Sequence, residues 1–244
     1  MRIVNAKYEI LNPHLDEQGV RNIYKQIELA GRTCYKSEDK ITEESAERFA
    51  RALVKNGHEA MLEHASIMIR FTVDRGVSHE LVRHRLASFA QESTRYCNYS
   101  MDKFGKEITV IEPCFFNEIP DRRKGAIMDL LDGVPSPDDI LCDFTELEQA
   151  FGEWYFACSR AEASYFYLLE NGLTPQEARS VLPTSVKTEV VMTMNMRELR
   201  HFLKLRAAGV TGKPHPQMLE VAMPLLIELK GKLPALFYDI EPMN

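Results

Sequence analysis

The chain has 244 residues, with 30 Lys and Arg against 36 Asp and Glu, giving a formal net charge of −6. That length can bury a sizeable core in one domain or a closely joined pair, and one domain over residues 1–244 is expected. The acidic balance opposes general binding to nucleic acid, and no apolar run is long enough to span a membrane.

The segment Met1-Arg2-Ile3-Val4-Asn5-Ala6-Lys7 lacks the apolar core and cleavage site of a signal peptide, so a cytoplasmic protein is expected. The five cysteines, Cys34, Cys97, Cys114, Cys142 and Cys158, are odd in number and widely spaced. Free thiols in a reducing compartment follow.

Residues 2–11 alternate loosely and read as a first strand. Val20, Ile23, Tyr24 and Ile27 then fall at helical spacing, with Gly31 as the stop. A second helix starts near Glu43, sets Ala46, Phe49, Ala50 and Leu53 on one face, and ends at Asn56-Gly57. The segment from His58 to His64 holds two histidines and two carboxylates, but not at His-Glu-x-x-His spacing and not on one helical face, so no metal is expected.

Ser66 to Asp74 is the clearest strand, with Ile67, Ile69, Phe71 and Val73 alternating against Met68, Arg70, Thr72 and Asp74. Gly76 breaks it and Ser78 can cap a helix carrying Arg83-His84-Arg85. Strict alternation implies a sheet with one wet face, hence a mostly antiparallel α+β fold with flanking helices.

Adjacent residues on a helix point about 100° apart, so Arg83, His84 and Arg85 fan around the helix end. Exposed charge is the default for such a cluster. The polar segment Gln91-Glu92-Ser93-Thr94-Arg95 that follows weighs against it, because hydroxyls and a forked guanidinium suit a phosphate. Arg83 and His84 stand at i+3 and i+4 from Glu80, which is expected to pair with them.

Residues 107–111 read as a further strand ended by Pro113, and 132–139, rich in Gly, Pro, Ser and Asp, as a surface loop. Leu147, Phe151, Trp154, Cys158, Ala161, Tyr165 and Leu168 repeat at spacings of four and three, which defines one long helix ending at Asn171-Gly172. Its aromatics are expected to serve core or subunit packing. Thr174-Pro175-Gln176-Glu177 is a capping box opening a short helix that carries Arg179 and stops at Pro183.

Val186 to Met194 alternates as a strand, and Asn195 caps a last helix with Glu198 at the reciprocal position. On that helix Leu199, Phe202, Leu203 and Arg206 share one face, while Arg197 and His201 share another. Arg206 either snorkels from the end of its apolar stripe or serves a ligand.

Arg83-His84-Arg85 followed by Ser88, Ser93 and Arg95 resembles the signature of the flavin-dependent thymidylate synthases. The resemblance continues through Ala178-Arg179, Asn195-x-Arg197, His201 and Leu205-Arg206, in blocks between Gly57 and Gln217. Four departures show. Glu80 stands where the family has Gln, Ala90-Gln91 replaces Asn-Glu, Ala60-Met61-Leu62 replaces Thr-Pro-Phe, and His201 replaces Asn.

The resemblance implies methylation of deoxyuridylate (dUMP) to thymidylate (dTMP), with methylenetetrahydrofolate giving the carbon and reduced FAD the hydride. NADPH would be the reductant, no enzyme nucleophile would act, and a homotetramer would share its sites between subunits. It implies His58, Ala60, Glu63, Arg83, His84, Arg85, Gln91, Asn195, Met196, Arg197 and His201 as FAD ligands. It implies Glu80, Leu81, Val82, Arg83, Gln91, Glu92, Ser93, Thr94, Arg95, Arg179 and Arg206 as dUMP ligands, with Arg206 catalytic. Cys97, two residues beyond Arg95, is then a bystander. The alternatives are a flavin- or nucleotide-binding relative without synthase activity, and a nucleic-acid module stacking bases on Tyr96 and Tyr99.

Overall fold

In the computed structural model, which describes residues 1–137 and 140–243, the elements in chain order are β1 (Arg2–Val4), β2 (Lys7–Asn12), α1 (Glu17–Tyr35), α2 (Ser45–Lys55), β3 (Ser66–Asp74), α3 (Arg75–Leu81), β4 (Ala87–Gln91), β5 (Thr109–Ile111), α4 (Asp121–Leu131), α5 (Glu146–Glu170), α6 (Pro175–Ala178), β6 (Lys187–Asn195), α7 (Met196–Arg206), α8 (Pro216–Lys232) and α9 (Pro234–Phe237). The fold is α+β, as expected. The chain divides into two units, one of residues 1–6, 73–76 and 92–188, the other of 7–72, 77–91 and 189–244.

The second unit is built on a sheet of order β2-β3-β6-β4, in which β2 runs antiparallel to β3 and β4 antiparallel to β6. Alternation does the sorting. Ile67, Ile69 and Phe71 of β3 and Val190, Met192 and Met194 of β6 are buried, and Leu199, Phe202 and Leu203 of α7 are buried with them. The Phe71 and Phe202 rings lie 5.9 Å apart. Burying each such side chain contributes about 1.5–3 kcal/mol. β3 and the end of α2 at Asn56, with Gly57 at φ 70°, fall where the pattern puts them.

Three expectations for this unit need correction. Residues 2–11 are two strands, since the alternation runs on through Asn5-Ala6 although β1 and β2 pair in different sheets. Gly31 does not stop α1, which continues to Tyr35 and ends on Lys36 in the left-handed region. A Cβ at Gly31 would lie 2.5 Å from the Phe49 ring, so the glycine marks the close approach of α1 to α2. Finally, α3 ends at Leu81, and Ser78 is buried within it instead of capping it. Arg83-His84-Arg85 therefore sits in the turn between α3 and β4.

In the first unit β1 pairs with β5 in parallel, which a mostly antiparallel fold accommodates. The 25-residue α5 is the long helix read from the sequence, opened by a capping box between Thr145 and Glu148 and closed at Asn171. Phe151, Cys158 and Tyr165 are buried in its packing faces, and Trp154 Nε1 donates to Ser185 Oγ at 3.0 Å. Phe151 and Tyr165 are core and Trp154 packs against it half-buried, whereas Tyr167 is exposed. Residues 132–137 of the expected loop form turns and bends after α4, while 138–139 lie outside the described residues. Among the described residues no helix is long and apolar enough to cross a membrane.

Candidate functional site

A cavity of about 870 Å³ opens in the second unit, lined from three segments: Glu59 and Glu63, Arg83 to Leu86, and Asn195 to Arg206. Its volume is in the range of cofactor pockets, about 300–1,000 Å³. Five permanent cations, Arg83, Arg85, Arg197, Lys204 and Arg206, face it with three carboxylates, Glu59, Glu63 and Glu198.

α7 delivers much of this lining. Asn195 Oδ1 accepts from the Glu198 amide at 2.9 Å, which caps the helix. The reciprocal half of the expected capping box is absent, because the Glu198 carboxylate instead lies 3.1 Å from His84 Nδ1. The far end of the helix presents Arg206. Its Nε donates to His84 Nε2 at 3.2 Å and its Nη1 to Glu80 Oε2 at 2.6 Å, with the Glu80 carbonyl 3.5 Å from Nη2. Arg206 thus has a partner, and so does Glu80. The expected pairing of Glu80 with Arg83 and His84 is not the one found.

These contacts fix the state of His84. An arginine Nε–H can only donate, so His84 Nε2 must be unprotonated and Nδ1–H donates to Glu198. Burial, with Arg206 and His201 beside it, pulls the imidazole down to about 4. At neutral pH the Glu198–His84 contact is therefore a hydrogen bond from a neutral ring. Burial raises the Glu198 carboxyl as well, opposed in part by His201.

The other cations differ in how far they are neutralised. Arg197 Nη1 donates to Glu63 Oε1 at 2.6 Å in an exposed pair, which costs little to open. Arg83 and Arg85 are exposed and have no side-chain partner among the described residues. Two such guanidinium groups at the edge of a cavity are a donor set suited to a diphosphate. The chemistry of the lining fits a dinucleotide flavin.

Of the expected FAD ligands, the cavity brings together Glu63, Arg83, His84, Arg85, Asn195, Arg197 and His201. His58, Ala60, Gln91 and Met196 are not in its lining. Met196 is fully buried, and Gln91 Nε2 donates to Ser78 Oγ at 3.0 Å.

The expected dUMP ligands fall in both units. Glu80, Leu81, Val82, Arg83, Gln91 and Arg206 belong to the second, although Leu81 is wholly buried and offers only its backbone. Glu92, Ser93, Thr94, Arg95 and Arg179 belong to the first. There Arg179 Nη1 donates to Thr94 Oγ1 at 3.2 Å, Ser93 Oγ accepts from the Arg95 amide at 3.3 Å, and Glu92 pairs with Lys187 at 2.8 Å. Cys97 lies in the same unit, its thiol pushed up by burial and by Glu92.

Glu59, Glu198 and Lys204 had no expected place in the cavity. Lys204 continues the Arg197–His201 stripe by one more turn and was legible from that spacing. Glu59 was not. It is held by Arg200, a fully buried guanidinium that donates from Nε to Glu59 Oε1 at 3.2 Å and bidentately to Asp239 at 2.8 Å, with a further bond to the Leu236 carbonyl.

Fold and cavity together define an α+β protein with a preformed cavity lined by five cations and three carboxylates. A family profile described as thymidylate synthase complementing protein matches residues 20–235. A flavin-dependent thymidylate synthase of Corynebacterium efficiens is 34% identical over 218 residues, covering 88% of this chain and 78% of the relative. One of Geobacter sulfurreducens is 30% identical over 223 residues, covering 88% and 81%. Among solved structures, the UMP/dUMP methylase PolB from Streptomyces cacaoi bound with 5-Br UMP has a TM-score of 0.68 at 21% identity, covering 98% of this chain and 95% of its own. Thymidylate Synthase X from Helicobacter pylori with FAD and dUMP scores 0.64 at 21% identity, covering 97% and 98%. At such identity these two establish likeness of fold. The chain belongs to the thymidylate synthase complementing protein family, that of the flavin-dependent thymidylate synthases.

Proposed function

We propose that this protein methylates dUMP to dTMP, with methylenetetrahydrofolate as carbon donor, NADPH as reductant and no enzyme nucleophile. The observation that carries the reading is the Arg206 guanidinium, held by His84 and Glu80 in a cavity whose rim bears the unpartnered Arg83 and Arg85. The chemistry that FAD supplies when bound is hydride delivery.

Arg83 and Arg85 bind the flavin diphosphate, and Arg197 joins them by opening its exposed pair with Glu63. Asn195, His84 and His201 also line that cavity. Ser93, Thr94 and Arg95 hold the nucleotide phosphate, and Arg179 with Arg206 serves the pyrimidine edge. Of the five N–H groups on a guanidinium, Arg206 has directed three at protein acceptors. One remains on each terminal nitrogen, a pair suited to a carbonyl oxygen and the adjacent ring nitrogen. A fixed cation there favours the ionised ring and raises the nucleophilicity of its carbon without an attacking thiol. The raised Cys97 thiol supports leaving that cysteine out of the chemistry. Four copies sharing sites are part of the same reading.

One observation favours the rival reading, a nucleotide-binding relative without synthase activity. The Glu80 carboxylate offsets the charge on Arg206 at 2.6 Å. Visible spectroscopy separates the two. A flavin band that bleaches with reductant and whose return changes rate on adding dUMP, with dTMP formed, supports the synthase. A flavin band indifferent to dUMP, or a flavin-responsive protein that makes no dTMP, contradicts it.

A further inference from the structure

We propose that Glu198 is a positioning residue that orients the Arg206 guanidinium through the tautomer of His84. The proposal rests on the reading of Arg206 as the pyrimidine ligand and names what holds that ligand in register.

The three groups form one line of hydrogen bonds, Glu198 Oε1 to His84 Nδ1 at 3.1 Å and His84 Nε2 to Arg206 Nε at 3.2 Å. Glu198 and His84 are each also held by contacts outside this line. Glu198 is anchored because its own amide is the capped donor of α7, and its side chain is 5% exposed. His84 is 4% exposed and walled by Phe202, edge-on with ring centroids 5.0 Å apart, and by His201 at 6.0 Å. A neutral imidazole chooses between two tautomers of similar energy, and the hydrogen bond made by one nitrogen decides the state of the other.

Only the Nδ1–H form leaves Nε2 free to accept from Arg206. The Glu198 carboxylate, an acceptor, selects that form. Without it the proton can move to Nε2, where it would face the Arg206 Nε–H donor to donor. The guanidinium would then lose the bond at Nε and swing on its remaining contacts to Glu80. Glu198 touches no part of the pyrimidine edge in this scheme, and its effect reaches the ligand only through Arg206.

The test uses full-length FAD-loaded protein carrying Glu198→Ala, Glu198→Gln, Glu198→Asp, Arg206→Ala, or Glu198→Ala with Arg206→Ala. Each is checked for flavin content and thermal unfolding, and dUMP affinity and turnover are measured. Nitrogen-15 spectra of histidine-labelled protein report the His84 tautomer. Glu198→Ala should keep its flavin, weaken dUMP binding or turnover about tenfold, the loss of one hydrogen-bonded link, and move His84 away from the Nδ1–H form. Glu198→Gln should stay near wild type, because its amide oxygen still accepts from Nδ1–H. Glu198→Asp, one methylene short, should behave as the alanine variant does and keeps the test alive should that variant fail to fold.

In the Arg206→Ala background, Glu198→Ala should cost less than about twofold more, since groups acting through one another are non-additive. A full additional loss there, or a His84 tautomer unchanged in Glu198→Ala and Glu198→Asp, overturns the proposal. Failure of the underlying reading looks different. Arg206→Ala would then bind and turn over dUMP normally, while the tautomer of His84 still followed Glu198.

Discussion

Arg206 joins the helix that carries it to a carboxylate, a histidine and the proposed nucleotide edge, so its loss should be felt mainly in chemistry. Arg206→Ala is expected to retain bound flavin and lose about 3 kcal/mol of barrier reduction, comparable to removing one fixed electrostatic stabiliser. Steady-state turnover and flavin absorbance measured on one sample check this, and normal turnover contradicts it. Glu80→Gln should leave dUMP affinity unchanged or improved, because the amide oxygen can still hold Arg206 while a negative charge disappears beside a phosphorylated ligand. A large loss of affinity in calorimetry would show the carboxylate itself to be a ligand. Cys97→Ser is expected to keep turnover within about tenfold, or ~1.4 kcal/mol. A covalent adduct between Cys97 and 5-fluoro-dUMP, found by mass spectrometry, contradicts that. His84 gives a pH prediction. Its folded value of about 4 lies below the ordinary 6.5, so the unfolded chain binds more protons between those limits. The stability it contributes is full above about pH 6.5 and is lost as pH falls toward 4, at up to about 1.4 kcal/mol per pH unit. Denaturant midpoints of wild type and His84→Gln should converge over that window, and a constant difference contradicts the assignment.

At the scale of elements, Thr145→Ala removes the side-chain cap of α5 and should cost about 1 kcal/mol of stability with flavin binding unchanged. Thermal unfolding and flavin titration test both halves of that statement. α5 and β3 were legible in the sequence because each carries one unbroken period over many residues. The elements misread lack such a signal. β1 and β2 form one continuous alternation, and only pairing with β5, more than a hundred residues away, separates them. Gly31 has the chemistry of a helix stop, and the Phe49 ring that uses its missing side chain belongs to another helix. Arg83-His84-Arg85 has no periodicity, so nothing local distinguished a helix end from the turn it occupies. Glu198 was visible only as a capping residue, since its contact with His84 spans 114 positions of sequence.

At the scale of the whole molecule, the motif residues were readable in chain order, but sequence could not say which of them share a cavity. The lining comes from three distant segments, and the charges within it are partly cancelled by pairings that no motif marks, Glu63 with Arg197 and Glu80 with Arg206. Four copies are expected in solution, and light scattering with flavin bound should return the mass of a tetramer; a monomer that turns over fully contradicts shared sites. The most direct measurement for the central claim is an anaerobic single turnover. Protein with fully reduced FAD is mixed with dUMP and methylenetetrahydrofolate, and flavin absorbance and dTMP are followed together. Formation of one dTMP for each flavin reoxidised is the predicted result. Reoxidation without dTMP, or equal dTMP from flavin-free protein, would contradict it.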